Sequence, residues 1–453
     1  MTSQKFKSAR VIAVEVLNRC DPRRDYVGPV LDGLLSETNQ RQRATDLVFG
    51  TMRNRRAIDT VIAVFSGRPV ERIQDKLLAN LRIGAYELIY CPATHEYAII
   101  NEAVENVKAY VSKKQAGFVN AVVRQISRHI RHRQSPLSHV QTRRTLVQAA
   151  TSGCEFDTDF LPDPKTDPTA YLSTVFSLPE WLVTNWLNTY GEESTEQICL
   201  ASNRRPSITI RPNRLKTATA ALVEKLRQSG IGLETSSDES VIRIKGPSPI
   251  SQLPGFAEGE FIIQDITASQ PVRLLAPQPE WSILDLCAAP GVKTTQLAEA
   301  TDDSARIIAT DINQRRLERV KENVNRLGIQ SVDVVSYNQL LDSTFDCVLV
   351  DVPCSNTGVL AKRIEARYRI KSGIIQELTK TQCELLETAA SKIKPHGKIC
   401  YSTCSIQKAE NGNLVRDFLK RNPSFELECE QLILPSVEGF GHDGGYTAIL
   451  VRR

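Results

Sequence analysis

The sequence predicts a chain in three parts: an all-α front, a small α+β middle, and an α/β rear on a doubly wound parallel sheet. Three observations predict it. Apolar residues recur at three-and-four spacing through about the first 130 positions. Two short strand-like runs then flank a helix-like run between 206 and 246. From about 260 onward, short apolar strands alternate with amphipathic helices, the pattern of a parallel sheet covered on both faces. A length of 453 residues also exceeds what one ordinary core organises. The expected boundaries are 1–135, a linker at 136–172, then 173–260 and 261–453.

In the front, ARVIAVEVL, TDLVFGTMRNRRAIDTVIAVF and LLANLRIGAYELIY carry the helical period. Pro92 and CPATHEY interrupt it, and INEAVENVKAYV and GFVNAVVRQISRHI restore it, giving five or more helices. Periodicity fades at 131–170, where RHRQSP and the prolines of FLPDPKTDP read as a linker with at most one short helix. SLPEWLVTNWL reads as a helix start, with Ser177 as cap and Pro179 and Glu180 in the first turn. SITIRPN and VIRIKG read as strands around the helix TATAALVEKLRQSG. In the rear, SILDLC, RIIAT, VDVVSY, FDCVLVD and KICYST are strands, separated by KTTQLAEA, NQRRLERVKENVNRL and IIQELTKTQCELLETAASKI as helices.

Composition narrows the function. Apolar residues are 41% and charged residues 24%, the balance of a globular protein. No apolar run approaches the ~18 residues of a membrane span, and VIAVEVL is too short and too acidic for a secretory signal. The 11 cysteines are scattered and form no CxxC pair, so no metal is expected and a cytoplasmic location is. No membrane partner is expected, and the chain is read as a monomer. The net charge of +5 is unevenly placed: residues 1–150 hold 24 Lys and Arg against 13 Asp and Glu. Such a basic front suits a polyanion, although a solubilising surface has the same composition.

Three motifs carry chemistry. DLCAAPGVKT (285–294) follows a strand and opens a helix, where open α/β sheets bind ligands. Ala288, Ala289 and Gly291 keep side chains small there. RIIAT then ends at Asp311, placed to meet ribose hydroxyls. The absence of GxGxxG and GxxxxGK[ST] disfavours dinucleotides and nucleoside triphosphates and leaves a nucleoside cofactor without a phosphate cradle. VDVPCSNTGVL (350–360) puts Asp351 and Cys354 after an apolar strand, and YSTCSI (401–406) puts Cys404 after another. A packed, inert cysteine accounts for either motif alone. Two cysteines at two strand ends facing one pocket call for more.

Together these motifs resemble the RNA 5-methylcytosine methyltransferase family, most closely its branch acting on 16S rRNA. SLPEWLVTNWL, ASNRRPSITIRPN and FIIQDITASQ are similar to that family's intervening segments. ARVIAVEVL and INEAVENVKAYVSKKQAGFVNAVVRQI resemble the antitermination factor NusB. The resemblance implies a NusB-like helical domain, a small RNA-binding α+β domain and a Rossmann-like methyltransferase domain that uses S-adenosylmethionine. It implies that Cys404 is the nucleophile at cytosine carbon 6, that Cys354 acts in release, and that Asp351 meets the base edge. It assigns the cofactor to Cys287, Ala288, Ala289, Pro290, Gly291, Val292, Lys293, Asp311, Asn338 and Asp351. A thiolate is the attacking form, so a cation is expected near Cys404, with Lys293 the candidate. The target base must be unstacked, and the basic front would hold phosphates.

The chain departs from the family at three places. Val292 replaces a second glycine and is expected to narrow the pocket. Asn338 stands where an Asp usually meets adenine. AKRIEARYR replaces the stretch after GVL and is expected to offer basic residues to RNA. Two other functions share the sequence: the same chemistry on transfer RNA or another RNA, and a non-catalytic RNA-binding or antitermination factor with a relic domain. Retention of both cysteines argues against the relic. DNA cytosine methylation fits less well, because those enzymes take their nucleophile from the PC-type motif.

Overall fold

The computed structural model describes residues 6–453 except 138–141, 247–248 and 340–342, so the extreme N-terminus and part of the expected linker lie outside the described residues. Contacts gather the chain into two compact units: 1–205 with 360–369, and 206–359 with 370–453. No described helix is long and apolar enough to cross a membrane.

The first unit opens with helices α1 (Ala9–Arg19), α2 (Val27–Asp32), α3 (Arg41–Arg53), α4 (Arg55–Ser66), α5 (Asp75–Tyr90), α6 (Glu96–Tyr110) and α7 (Ala116–His129). Their apolar stripes converge: Ile12, Val16, Leu47, Val48 and Ile83 are sealed into one core, as three-and-four spacing requires. Gly67 takes a left-handed conformation that ends α4. Strands β1 (Ile130–Pro136), β2 (Thr145–Ala149) and β3 (Ser152–Phe156) follow, then α8 (Pro168–Val175) and α9 (Glu180–Asn203), which is kinked at Gly191.

Three expectations are corrected here. The stretch read as a linker carries an antiparallel sheet in the order β1-β3-β2. Its strands show no apolar alternation because β1 is polar and largely exposed, with few buried anchors such as Leu146, Cys154 and Phe156. Arg133 of β1 donates to the carbonyls of Glu87, Leu88 and Cys91, closing the carboxyl end of α5. Ser177 does not cap α9; its hydroxyl accepts from the Ala57 N–H in the first turn of α4. AKRIEARYR is not simply a basic surface: residues 360–369 belong to this unit. Ile364 joins the helical core, Glu365 accepts from the Val27 N–H, and Arg367 is buried against carbonyls of Arg53, Phe176, Ser202 and Leu360.

The second unit begins with β4 (Ile208–Pro212), α10 (Thr219–Gln228), β5 (Gly232–Thr235), β6 (Ile242–Lys245) and β7 (Phe261–Ile263). These strands form an antiparallel sheet in the order β5-β6-β4-β7, and α10 packs Leu222 and Leu226 against Ile210, Ile242 and Phe261. The remaining elements are α11 (Ile266–Leu275), β8 (Ser282–Asp285), α12 (Val292–Ala300), β9 (Arg306–Ala309), α13 (Gln314–Leu327), β10 (Val332–Val334), β11 (Phe345–Asp351), α14 (Ser372–Ser391), β12 (Ile393–Thr403), α15 (Gly412–Arg421), β13 (Phe425–Ile433) and β14 (Gly445–Arg452).

Among the described residues these strands form a seven-stranded sheet in the order β10-β9-β8-β11-β12-β14-β13. The first five run parallel; β14 is antiparallel to β12, and β13 is antiparallel to β14. Alternation assigns the faces: Ile283, Ile307 and Leu349 pack on one side with Leu317 and Val320, and Leu284, Val348 and Val350 on the other with Leu386 and Phe418. Strand order reverses between β8 and β11, so their carboxyl ends open a crevice. The expected sheet lacked β13 and β14. FELECEQLI carries three glutamates on a largely exposed face and does not show the run of a buried strand. GYTAILVR does carry a buried apolar run, Ala448–Leu450, after a glycine-rich turn, yet stood outside the expected strands.

Candidate active site

The loop after β8 lies on one lip of the crevice. Ala288 N–H donates to the Thr310 carbonyl (2.9 Å), and the Ala289 N–H donates to Asp311 Oδ2 (3.3 Å). Asp311 Oδ1 accepts from the Asn313 N–H (2.8 Å), so this buried carboxylate is fixed from both sides at the end of β9. Gly291 sits at φ +96°, and a Cβ there would meet Val320 Cα at 3.2 Å. Its lack of a side chain therefore serves the approach of α13 as well as the turn. Val292 begins α12 and packs its side chain against the core on that face of the sheet. Cys287 is partly exposed, and burial raises its thiol well above the ordinary range. Asn338 is exposed on a turn after β10.

The ends of β11 and β12 are neighbours, and their pairing continues to Asp351 opposite Ser402. Ser402 donates to Asp351 Oδ1 (2.8 Å), and Lys293 Nζ pairs with Asp351 Oδ2 (2.7 Å). Beyond them the two loops draw the cysteines together: Cys354 Sγ and Cys404 Sγ share a hydrogen bond at 2.9 Å. Asn356 links the same loops, donating to the Cys354 carbonyl (2.9 Å) and accepting from Cys404 Sγ (3.3 Å). Gly358 permits this approach. A Cβ there would stand 2.5 Å from the Gly444 carbonyl oxygen and 2.9 Å from that of Cys404. Both thiols remain partly exposed. Beside Cys404 lies a cavity of about 80 Å³ lined by Thr267, Lys293, Asp351, Ser402 and Asp443.

Electrostatics divide the labour. Cys354 is raised well above the ordinary thiol range, first by its hydrogen bond to Cys404, then by burial and by the charges of Cys404 and Glu410. Burial would lower Lys293, but the Asp351 carboxylate outweighs it, and a Cys404 charge adds to it, so the ammonium is held. Burial raises Asp285, at the end of β8, to about 7, helped by Asp351 and opposed by the Thr294 hydroxyl.

The expected catalytic residues Cys404, Cys354 and Asp351 thus lie together, with Lys293, the candidate cation, paired to Asp351, while Asp311 and the rest of the 287–293 loop line the adjoining strand ends. The hydroxyls flanking Cys404 in YSTCSI are expected from the sequence to hydrogen-bond its thiolate; Ser402 donates instead to Asp351. Sequence reasoning missed Asn356 and Glu410, which follow the cysteines in loops without a period, where no pattern marks them.

Comparisons with known proteins agree with this architecture. The family model described as 16S rRNA methyltransferase RsmB/F matches residues 272–448, the NusB family matches 7–128, and a ferredoxin-like domain of the RsmF/B type matches 178–251. A probable ribosomal RNA small subunit methyltransferase B from Bacillus subtilis is 30% identical over 97% of this chain and 95% of its own. Ribosomal RNA small subunit methyltransferase B from Serratia proteamaculans is 32% identical over 98% of each chain. The crystal structure of PH0851 superposes with a TM-score of 0.74 over 99% of this chain and 100% of its own, at 24% identity. NSun6 from Pyrococcus horikoshii, solved with SFG, gives 0.55 over 60% of this chain and 98% of its own, at 20% identity. The chain belongs to the RsmB/F family of 16S rRNA methyltransferases.

Proposed function

We propose that the chain methylates carbon 5 of a cytosine in 16S rRNA, with Cys404 as nucleophile and Cys354 in release. The observation that carries this reading is the pair of sulfurs, brought from two strand ends to 2.9 Å beside the Lys293–Asp351 ion pair.

The residues fit S-adenosylmethionine. Asp285 Oδ1 and Thr310 Oγ1, at the ends of β8 and β9, are buried with no partner among the described residues, as polar groups awaiting a ligand would be. Cys287, Ala288, Ala289, Pro290, Gly291, Val292 and Lys293 would border the cofactor, Asp311 its ribose, Asn338 its adenine and Asp351 its reactive end. When bound, S-adenosylmethionine supplies the methyl group from its sulfonium.

Cytosine carbon 5 is a weak nucleophile. The Cys404 thiolate forms a bond to carbon 6, and the displaced π electrons make carbon 5 electron-rich. Asp351, held by Ser402 and Lys293, meets the base edge. Carbon 5 accepts the methyl group, loses its proton to Cys354, and uses the C–H electrons to re-form the 5,6 double bond. The bond from carbon 6 to Cys404 breaks, and its pair leaves with sulfur as thiolate. The raised Cys354 suits this order. Before attack it is a thiol that donates to Cys404. Once Cys404 becomes a neutral thioether, the largest cause of the elevation is gone; Cys354 then releases its own proton to water and, as thiolate, takes the one from carbon 5.

The helical unit supports an RNA substrate with a cavity of about 740 Å³ whose lining sets Arg23, Arg55, Arg56 and Arg68 against Asp59 and Glu71, a basic excess that suits backbone phosphate. Cytoplasmic placement and a monomeric state complete the reading. The test is transfer from labelled S-adenosylmethionine to 16S rRNA lacking the modification, with the product mapped as 5-methylcytosine. Folded, cofactor-binding protein that incorporates no label, or labels another position, overturns it.

A further inference from the structure

We propose that Glu410 is a positioning residue for the cysteine pair: its buried carboxylate ties the Cys354 loop to the Cys404 loop and sets the distance between the two sulfurs. The inference rests on the cysteine chemistry proposed above and adds to it a residue that touches neither sulfur.

Glu410 lies on a turn after β12 and has no exposed surface. A buried carboxylate is costly unless its oxygens are satisfied. No Lys or Arg among the described residues pairs with it. Its donors come instead from the two catalytic loops and from α14. Ser355, next to Cys354, donates its backbone N–H to Oε1 (2.8 Å) and its hydroxyl to Oε2. Ser405, next to Cys404, donates its hydroxyl to the same Oε2. Gln382 of α14 donates to Oε1 (3.0 Å) and to the Pro353 carbonyl (2.9 Å).

One carboxylate therefore bridges the residue after each cysteine. The Ser355 and Ser405 hydroxyls also touch each other at 3.1 Å, and Thr357 touches Ser405 at 3.0 Å. The Glu410 backbone is itself anchored, its carbonyl accepting from the Tyr401 hydroxyl at 2.7 Å. The knot of Ser355, Thr357, Ser405 and Glu410 is buried, while Cys354 and Cys404 remain partly exposed. An ordinary structural role would be met by an apolar residue filling the same space. Convergence of three donors from two separate loops onto one anion is what fixes relative position.

The test reads the sulfur pair directly in the full-length protein. Diamide oxidises neighbouring thiols to a disulfide, and peptide mass mapping follows formation of the Cys354–Cys404 link. Glu410→Ala is expected to slow that link at least tenfold and to lower kcat about tenfold, with S-adenosylmethionine affinity and the RNA KM within twofold. Glu410→Gln keeps the size and one acceptor oxygen and is expected to recover most of both. Should Glu410→Ala fail to fold, Ser405→Ala, which removes one arm of the bridge, is read instead, with at least threefold slower linking expected. A folded variant that links its cysteines within twofold of the unsubstituted rate overturns the proposal, as does a fall in rate that Glu410→Gln does not recover. The linking rate needs no methyl transfer. An unsubstituted protein that links its cysteines but methylates no RNA refutes the function while leaving the Glu410 result standing.

Discussion

Asp285 gives the site a pH signature that can be worked from its surroundings. The carboxyl lies at the end of β8, almost wholly buried; one oxygen accepts from Thr294 Oγ1 at 2.7 Å and the other has no partner among the described residues. Burial, with Asp351 nearby, raises it from 3.8 to about 7. A carboxyl raised on folding stabilises the native state below its unfolded value and loses that contribution as pH rises through the folded one. The window is therefore about pH 4 to 7. A shift of about 3 units at ~1.4 kcal/mol each gives a loss of about 4 kcal/mol across it. Asp285→Asn keeps the shape, removes the titration and lets an amide N–H occupy the open side. Urea unfolding at a series of pH values should show the unsubstituted protein losing about 4 kcal/mol relative to Asp285→Asn between pH 4 and 7.5. Parallel curves for the two proteins would refute the assignment of a buried, neutral-leaning acid at this position.

Other perturbations test the neighbouring claims. Gly358→Ala forces a Cβ against the carbonyls of Gly444 and Cys404 and should destabilise by about 1–3 kcal/mol in urea, with methyl transfer falling alongside. Arg367→Ala leaves five oxygen acceptors without their donor and should cost about 3 kcal/mol or more, read as a lower urea midpoint. Replacing Arg55 and Arg56 by Ala should weaken binding to unmodified 16S rRNA. The slope of log affinity against log salt should fall by about 1 for each phosphate no longer held, measured by filter retention across a salt series.

Much of this molecule was legible in its residues. The helical front declared itself because amphipathic helices repeat their apolar positions over three and four residues, and Ile12, Val16, Leu47 and Ile83 are sealed where that spacing puts them. The parallel strands were legible because both faces of a central sheet are covered, so FDCVLVD reads as a nearly unbroken apolar run. What stayed hidden was structure with one wet face or without a period. The strands at 130–156 are held by Arg133 on helix carbonyls and by few apolar anchors. The arginines of AKRIEARYR looked like surface, yet Arg367 is internal, because a guanidinium can be satisfied by carbonyls that no sequence pattern announces. At the site, strand ends placed the cysteines near one another, but the seryl and glutamyl contacts that draw them to 2.9 Å arise from loops meeting across 50 residues of chain.

The most direct measurement is the fate of the covalent enzyme–RNA adduct in two single variants. On a denaturing gel, Cys354→Ala incubated with 16S rRNA and S-adenosylmethionine should accumulate a slowly migrating adduct. Cys404→Ala should bind the cofactor normally and yield neither adduct nor 5-methylcytosine. An adduct formed by Cys404→Ala and absent from Cys354→Ala would exchange the roles of the two sulfurs and contradict the mechanism.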